Sequence, residues 1–512
     1  MLKNKNYTSA AFDNKKYLQE QTRAILERVK KFNDKLYLEF GGKLGYDFHA
    51  ARCLPGYDPN IKLELLKELR DKLEFILCIY ADDIVQGKVL GTFGITYDFA
   101  ILKLIDDLRS LGLDMVTVVI TRFKGEPAVI KFKNKLEKRG IKIYTHYEIK
   151  GYPTDVDFVV SKDGLGRNPY IRTERPIVVV NGPGPNSGKM ATCLSQLYHD
   201  HQQGKKSGYA KFETFPVWNL PLKHMVNVAY EAATADIGDY NLIDPYHLAA
   251  YGKVAVNYNR DVESFPILKR LLEKIVGANK RLPYQSSTDM GVNRAGFAIT
   301  NDKLVVQACR QEIIRRHFRY NSEYAIGTGG KRAVEITDRL MEENNIKIEE
   351  RLVVGLARKI GKEAFSKGET YQGIACGAAL QLKNGKIITA HNSEWMHAAA
   401  TLIIKALKSL VSLREDIPLI PDDFMKNASL SKKEILNSNS TSLDLDETIM
   451  MLIMLASSNT IIKSALSKFK ELQGCQMHMT HMPTPGDEKA LKKMRIDLTH
   501  DPHFSSSNLF IV

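Results

Sequence analysis

Lys189 is the residue around which chemistry is most readily built. It closes the segment RPIVVVNGPGPNSGKMAT, which runs from Arg175 to Thr192. Four apolar residues, Ile177–Val180, suit a buried parallel strand, and Met190–His201 has the pattern of the helix behind it. Between them Gly182, Gly184 and Gly188 permit backbone shapes that other residues resist. Amides near Asn186, Ser187 and Gly188, helped by the helix dipole, would hold a phosphate. Lys189 would neutralise its charge, and the hydroxyl of Ser187 or Thr192 would reach a Mg²⁺ ion. The competing explanation is a tight strand-to-helix turn whose glycines serve packing.

Acids follow in the next seventy residues. Glu213 falls near the carboxyl end of an expected strand, Tyr209–Phe215, where open α/β sheets place ligands. Asp236, Asp239 and Asp244 share a loop broken by Gly238 and Pro245, and oxygen-rich clusters of this kind suit Mg²⁺. Arg260 is a candidate phosphate clamp. Lys189, Glu213, Asp236 and Arg260 are therefore the expected catalytic set. Gly182, Gly184, Asn186, Ser187, Gly188, Lys189 and Thr192 are the expected nucleotide contacts, and Asp236, Asp239 and Asp244 the expected Mg²⁺ ligands. Turn acids also bond their own backbone, which is the structural alternative for each of the three.

The elements that must position these groups read as alternating strand and helix. Tyr17–Phe32 carries a helical stripe of Leu18, Ile25, Val29 and Phe32. The glycines and prolines of the loop after it, which holds Lys43, His49, Arg52 and Asp58, argue against a regular element. Phe75–Tyr80, Met115–Thr121 and Ile141–Thr145 read as strands, with helices Phe99–Ser110 and Pro127–Arg139 between them. Val156–Ser161 reads as a further strand. The order predicts an α/β domain with a mostly parallel sheet over residues 1–325. Residues 326–512 read as a smaller α/β domain with a helical insertion. There Ile374–Leu382 and Lys386–Ala390 flank an Asn384-Gly385 hairpin signal, and a helix runs from about His397 to Leu413. Residues Pro418–Ser442 read as loop, and a helix capped by Asp444 or Asp446 is expected to reach Gln473.

Composition bounds the rest. The chain has 512 residues, 44% hydrophobic and 26% charged, which are globular proportions and too long for one ordinary core. The formal charge is +14, but the basic residues are dispersed, so a small phosphorylated molecule is expected in preference to nucleic acid. Cys53, Cys78, Cys193, Cys309, Cys376 and Cys475 form no CxxC pair and read as reduced thiols. The first residues lack an apolar leader core, and the longest apolar run, Ile449–Ala456, falls far short of the ~20 residues of a membrane span. A cytoplasmic homo-oligomer is expected. His478, His481, His500 and His503 invite a zinc hypothesis. A strand over Cys475–His481 would point His478 away from His481, so zinc is not expected.

Several runs carry resemblances. The loop is similar to the Walker A loop of P-loop NTPases, with departures: five residues separate Gly182 from Gly188 where that pattern has four, Met190 stands where that pattern has a hydroxyl, and Pro183 and Pro185 remove donors. GAALQLKNGKIITAHNSEWMHAAA resembles the core of the cytidine-deaminase fold, with His397 at its metal-ligand position. Ala399 replaces the acid of that motif and the Pro-Cys-x-x-Cys partner is absent, so the resemblance implies fold alone. EFGGKL, HAARCLPGYDPN, VNGPGPNSGKMAT, KFETFPVWNLPL, NYNRDVESFP and HMTHMPTPGDE together resemble an uncharacterised bacterial family of about 500 residues. Members are sometimes labelled ATP-dependent peptidases, but HExxH is absent here. The leading expectation is a nucleotide-dependent enzyme using ATP or GTP with Mg²⁺ for phosphoryl transfer or ligation. The alternatives are a non-catalytic phosphometabolite sensor and a metal hydrolase using the C-terminal histidines.

Overall fold

The computed structural model describes residues 10–32, 35–90, 94–277, 282, 284–435, 437–438 and 440–506. The extreme N-terminal residues searched for a leader, and Asn439 of the polar NSNSTS patch, lie outside the described residues.

Seven apolar segments build the larger sheet. They are β1 (Lys35–Phe40), β2 (Leu73–Tyr80), β3 (Val116–Thr121), β4 (Lys142–Thr145), β5 (Ile177–Asn181), β6 (Ser207–Phe212) and β7 (Gly291–Val292). The order is β7-β6-β1-β5-β2-β3-β4, and every neighbouring pair is parallel. Parallel strands need crossovers, and helices supply them on both faces. On one face α1 (Asn14–Lys31), α2 (Tyr97–Ser110) and α3 (Pro127–Glu137) pack onto Leu36, Leu38, Phe75, Leu77 and Val118. On the other, α4 (Lys189–Gln202) and α5 (Asn259–Val276) cover Tyr37, Ile76, Cys78, Val178 and Val180.

Contacts divide the chain into two compact units. One comprises Ala10–Glu231 and Asp239–Cys309; the other contains Ala232–Gly238 and the chain from Arg310 onward. The division falls inside α6 (Asp302–Ala325), between Cys309 and Arg310.

The second unit holds a mixed sheet of β8 (Gly377–Gln381), β9 (Ile387–His391), β10 (Gln476–Met479) and β11 (Asp497–His500), in the order β9-β8-β10-β11. β8 is antiparallel to both neighbours, and β10 and β11 are parallel. Helix α7 (Leu352–Ser366) lies so close to β8 that a Cβ on Gly377 would stand 2.1 Å from Ala357 O. Helices α8 (Ala398–Leu410), α9 (Leu445–Leu455) and α10 (Pro485–Lys493) enclose its core around Leu402, Leu445 and Leu491.

Several sequence readings are corrected. Val156–Val159 is a helical turn, because the Asp155 carboxylate accepts from the Phe158 amide at 3.1 Å. Asp47 likewise caps a short helix, Phe48–Cys53, inside the glycine-rich loop. Asp422–Glu434 is helical, with two acids in its first turn. The expected long helix to Gln473 stops at Leu455, and Asn459 caps a second helix, Thr460–Ser467. Among the described residues no helix is long and apolar enough to cross a membrane.

Candidate functional site

The carboxyl edge of the seven-stranded sheet gathers most of the groups singled out above. β2 and β5 are hydrogen-bonded neighbours, Leu77 opposite Asn181, yet their continuations diverge. β2 leads through α2 to β3 on one side. β5 leads through α4 to β6, beyond β1 on the other. Such a switch point opens a crevice outside the strand ends, and Gly182–Lys189 is the loop that leaves β5 there.

Local chemistry shapes that loop. Gly188 is the helix N-cap with φ +87°, and a Cβ there would lie 2.7 Å from Thr121 Cγ2. Backbone conformation and space both demand glycine. The Thr121 hydroxyl donates to Ser187 O at 2.9 Å, and the Arg122 guanidinium donates to Asn186 O. Arg122 also stacks 3.3 Å over the Tyr80 ring. Gly184 abuts the Tyr97 hydroxyl, 2.4 Å from where a Cβ would stand. Pinned from three sides, the loop presents Lys189, whose Nζ donates to Gly184 O at 3.3 Å and Ser187 Oγ at 3.4 Å. The first hydrogen bond of the α4 ladder runs from Thr192 N to Gly188 O, so the amides of Lys189, Met190 and Ala191 precede it. Ser187 is buried beside the lysine ammonium. Thr192 instead faces the core, accepting from the Cys78 thiol at 3.5 Å.

A second group lies two strands away, about 10 Å at normal strand spacing. Glu213 follows β6, and its Oε1 accepts from Tyr258 OH at 3.0 Å. A Cβ on Gly41, at the end of β1, would stand 2.8 Å from Glu213 Cγ, so only glycine admits the carboxyl group there. Glu39 and Lys211 are cross-strand partners on the same sheet face, and Lys211 pairs with Asp261 from the first turn of α5. Burial, and then the charge of Asp261, push Glu213 up to about 8, against the pull of Lys211 and the Tyr258 hydrogen bond. A raised folded value means that this stability is fully present below the ordinary carboxylate range and is lost as pH rises through about 8. Thermal stability is therefore expected to fall between pH 5 and 8, and Glu213→Gln to flatten that slope. Parallel pH dependences in the two proteins would refute the assignment.

Sequence comparison bears on this arrangement. The profile described as "Domain of unknown function DUF1846, N-terminal" matches residues 10–345, and "Domain of unknown function DUF1846, C-terminal" matches residues 349–510. The chain belongs to the DUF1846 family. Similar relatives include the "UPF0371 protein" of Clostridium tetani (strain Massachusetts / E88), 50% identical over 502 residues, 98% of this chain and 99% of the relative. The "UPF0371 protein" of Clostridium botulinum (strain ATCC 19397 / Type A) matches with the same identity and coverage. The one from Clostridium botulinum (strain Alaska E43 / Type E3) is 50% identical over 500 residues, with 98% and 99% covered.

In this DUF1846 chain the three loop acids are not brought together. Asp236 is exposed and accepts from Tyr320 OH at 3.3 Å within the C-terminal unit. Asp239 is buried, held by Arg260 (2.8 Å from Nη2) and by Tyr230 OH at 3.2 Å. Arg260 is thus committed to a carboxylate. Asp244 caps Pro245–Tyr251 through the Tyr246 and His247 amides and also accepts from Ser287 and Thr288. The C-terminal histidines are similarly engaged: His478 with Thr499 (2.9 Å), His481 with Thr480 (3.0 Å), His500 with Ser322 (3.1 Å) and His503 with Thr480 O (3.3 Å). Among the described residues no group of three or more His, Cys, Asp or Glu side chains is placed to hold a metal ion.

Sequence reasoning missed Asp83, Tyr97, Thr121 and Arg122 around the loop. It also missed Lys211 and Tyr258 around Glu213, whereas Asp261 stands in the charged group Arg260, Asp261 and Glu263 that the sequence offers. Asp83 follows β2 at the switch point; its Oδ1 lies 3.3 Å from Lys88 Nζ, and Lys88 sits over the Tyr97 ring. The run YADD directly after an apolar strand was the available signal.

Proposed function

We propose that this protein is a nucleotide-dependent enzyme in which Gly182–Lys189 holds the phosphates of ATP or GTP. The observation that carries the reading is the Lys189 ammonium, drawn over its own loop by Gly184 O and Ser187 Oγ at the start of α4. An incoming phosphate offers that ammonium a stronger, charged acceptor than the two neutral oxygens it now uses. The leading amides of α4 and the helix dipole favour the same anion. Ser187 is the hydroxyl best placed to join a Mg²⁺ ion shared with the phosphates, a role that Thr192, turned toward Cys78, does not serve. Glu213, with its affinity for a proton at neutral pH and about two strands from the loop, is the candidate base for an acceptor substrate. The reaction class is phosphoryl transfer or ATP-driven ligation on a small metabolite.

The finer fold readings belong to the same proposal. The loop is Walker A-like with a stiffened, proline-bearing turn. In the C-terminal unit the β8–β9 hairpin followed by α8 supports the deaminase-like fold, without the acid of that chemistry at Ala399. A cytoplasmic homo-oligomer completes the reading.

The test is a thermal-shift screen of ATP, GTP and inorganic phosphate, each with and without Mg²⁺. The expected result is stabilisation by one nucleotide, rising with concentration as binding to the folded state requires. Stabilisation without turnover would favour the sensor alternative, and no shift with any nucleotide would overturn the reading.

A further inference from the structure

The C-terminal unit carries a histidine–carboxylate pair that the phosphate-loop reading does not use. His397 is the N-cap residue of α8, and its Nδ1 lies 2.8 Å from Asp487 Oδ2. Asp487 is 1% exposed and fully engaged. Its Oδ1 accepts from the Leu445 amide at 2.8 Å, and Thr484 Oγ1 donates to Oδ2 at 2.9 Å. Three elements therefore fix one carboxylate: the start of α9 through Leu445, the start of α10 through Thr484 and Asp487 itself, and α8 through His397. Packing tightens the same cluster, because a Cβ on Gly486 would stand 1.8 Å from Asp444 Oδ2.

A carboxylate held this rigidly orients an imidazole by its Nδ1 and leaves Nε2 as the ring's basic nitrogen, the arrangement of a general base. The His397 side chain is 20% exposed, so part of the ring reaches solvent. Among the described residues no serine, threonine or cysteine hydrogen-bonds Nε2, which leaves water as the nucleophile. Next to the ring, no side chain caps the first turn of α8, and Ala398, Ala399 and Ala400 are all buried. Their amides are donors suited to an oxyanion.

We propose that His397 and Asp487 form a hydrolytic centre for a small carbonyl substrate, an ester or an activated amide. Nε2 takes a proton from water as the water oxygen bonds the carbonyl carbon, and the C=O π pair moves onto oxygen. The oxyanion then re-forms the double bond, and the bond to the leaving oxygen or nitrogen breaks. The leaving atom takes the proton from Nε2–H, giving a carboxylic acid and an alcohol or amine. Burial disfavours charge on the ring, but the Asp487 hydrogen bond and charge outweigh it, with Asp444 assisting and Lys432 opposing. The net result holds His397 above its usual value.

The probe is 4-nitrophenyl acetate with the full chain, followed from pH 5 to 9. Hydrolysis is expected to rise as one group above the ordinary histidine range loses its proton. His397→Gln should slow it by roughly a hundredfold with the unfolding midpoint held within a few degrees. Asp487→Asn should move the pH midpoint downward, a change that a purely structural clamp would not produce. Should either variant fail to fold, ¹⁵N NMR of the wild-type His397 ring supplies the reading, with a proton retained on Nδ1 after the ring becomes neutral. Wild-type hydrolysis no faster than buffer, a folded His397→Gln protein as active as wild type, or neutral His397 protonated on Nε2 would each overturn the proposal.

Discussion

Lys189→Ala is expected to remove nucleotide-induced stabilisation while leaving the unliganded protein close to wild-type stability. The side chain is half-buried, and its hydrogen bonds to Gly184 O and Ser187 Oγ are made at 3.3 and 3.4 Å, long for strong interactions. Losing two such bonds to neutral acceptors costs about 1 kcal/mol or less. A charge-assisted bond to a phosphate contributes about 1.5–3 kcal/mol. Its loss weakens binding by roughly ten- to a hundredfold. Calorimetric titration of ATP and GTP with Mg²⁺ into both proteins measures the difference directly. Lys189→Arg should not restore affinity fully, because the planar fork does not substitute for a compact ammonium in a tight loop. If the alanine variant binds nucleotide with wild-type affinity, the phosphates lie elsewhere and the loop is a packing turn.

Part of this site could be read from the chain because its determinants are local. An apolar strand, a glycine-punctuated turn and a helical pattern are contiguous from Ile177 to Gln202, so the strand–loop–helix was visible before any fold was known. The groups that pin the loop are not contiguous with it. Thr121 and Arg122 arrive from β3, and Tyr97 from the start of α2, brought beside Asn186–Gly188 only by the strand order β5-β2-β3. β1 was overlooked because its six residues run straight into Gly41 and Gly42, and the glycines dominated the reading of that stretch. The supposed Mg²⁺ cluster failed to assemble for the opposite reason. Asp236, Asp239 and Asp244 are close in sequence, but each is drawn to a different partner: a tyrosine, an arginine and a helix N-terminus. Proximity along a turn-rich segment says little about side-chain direction.

The Glu213 neighbourhood shows what period-two reading could still have recovered. In β6 the residues Ser207, Tyr209 and Lys211 alternate with Gly208, Ala210 and Phe212, and Glu213 continues that period just past the strand, so alternate positions of a buried strand carry polar groups. Polar residues at that period in a central strand mark either an ion pair or a site. What the period could not supply is the partner, since Asp261 lies fifty positions away on α5.

That pair supports the second large expectation, which concerns stability. Lys211 and Asp261 are 5% and 4% exposed, and the same face holds Glu39 and Glu213. Lys211→Met keeps most of the side-chain volume but leaves Asp261 buried with Asn257 Nδ2, at 3.1 Å, as a neutral side-chain donor in place of a cation. Breaking a buried pair by removing one member costs about 3–5 kcal/mol, because the stranded charge has lost its solvent and its counter-ion together. The loss should depend on pH. Without the cation that opposes its shift, Glu213 holds its proton still more tightly in the folded state than in the unfolded one. Its contribution is therefore retained at low pH and lost as pH rises. Urea unfolding at pH 5 and pH 8 should show the variant weakened at both, and more so at pH 8. Replacing both members, Lys211→Met with Asp261→Leu, should recover much of the loss, since a matched apolar pair strands no charge. A single variant that loses less than about 1 kcal/mol at pH 8, the scale of an exposed pair, would mean that Asp261 reaches water and that the cluster beside Glu213 is open to solvent.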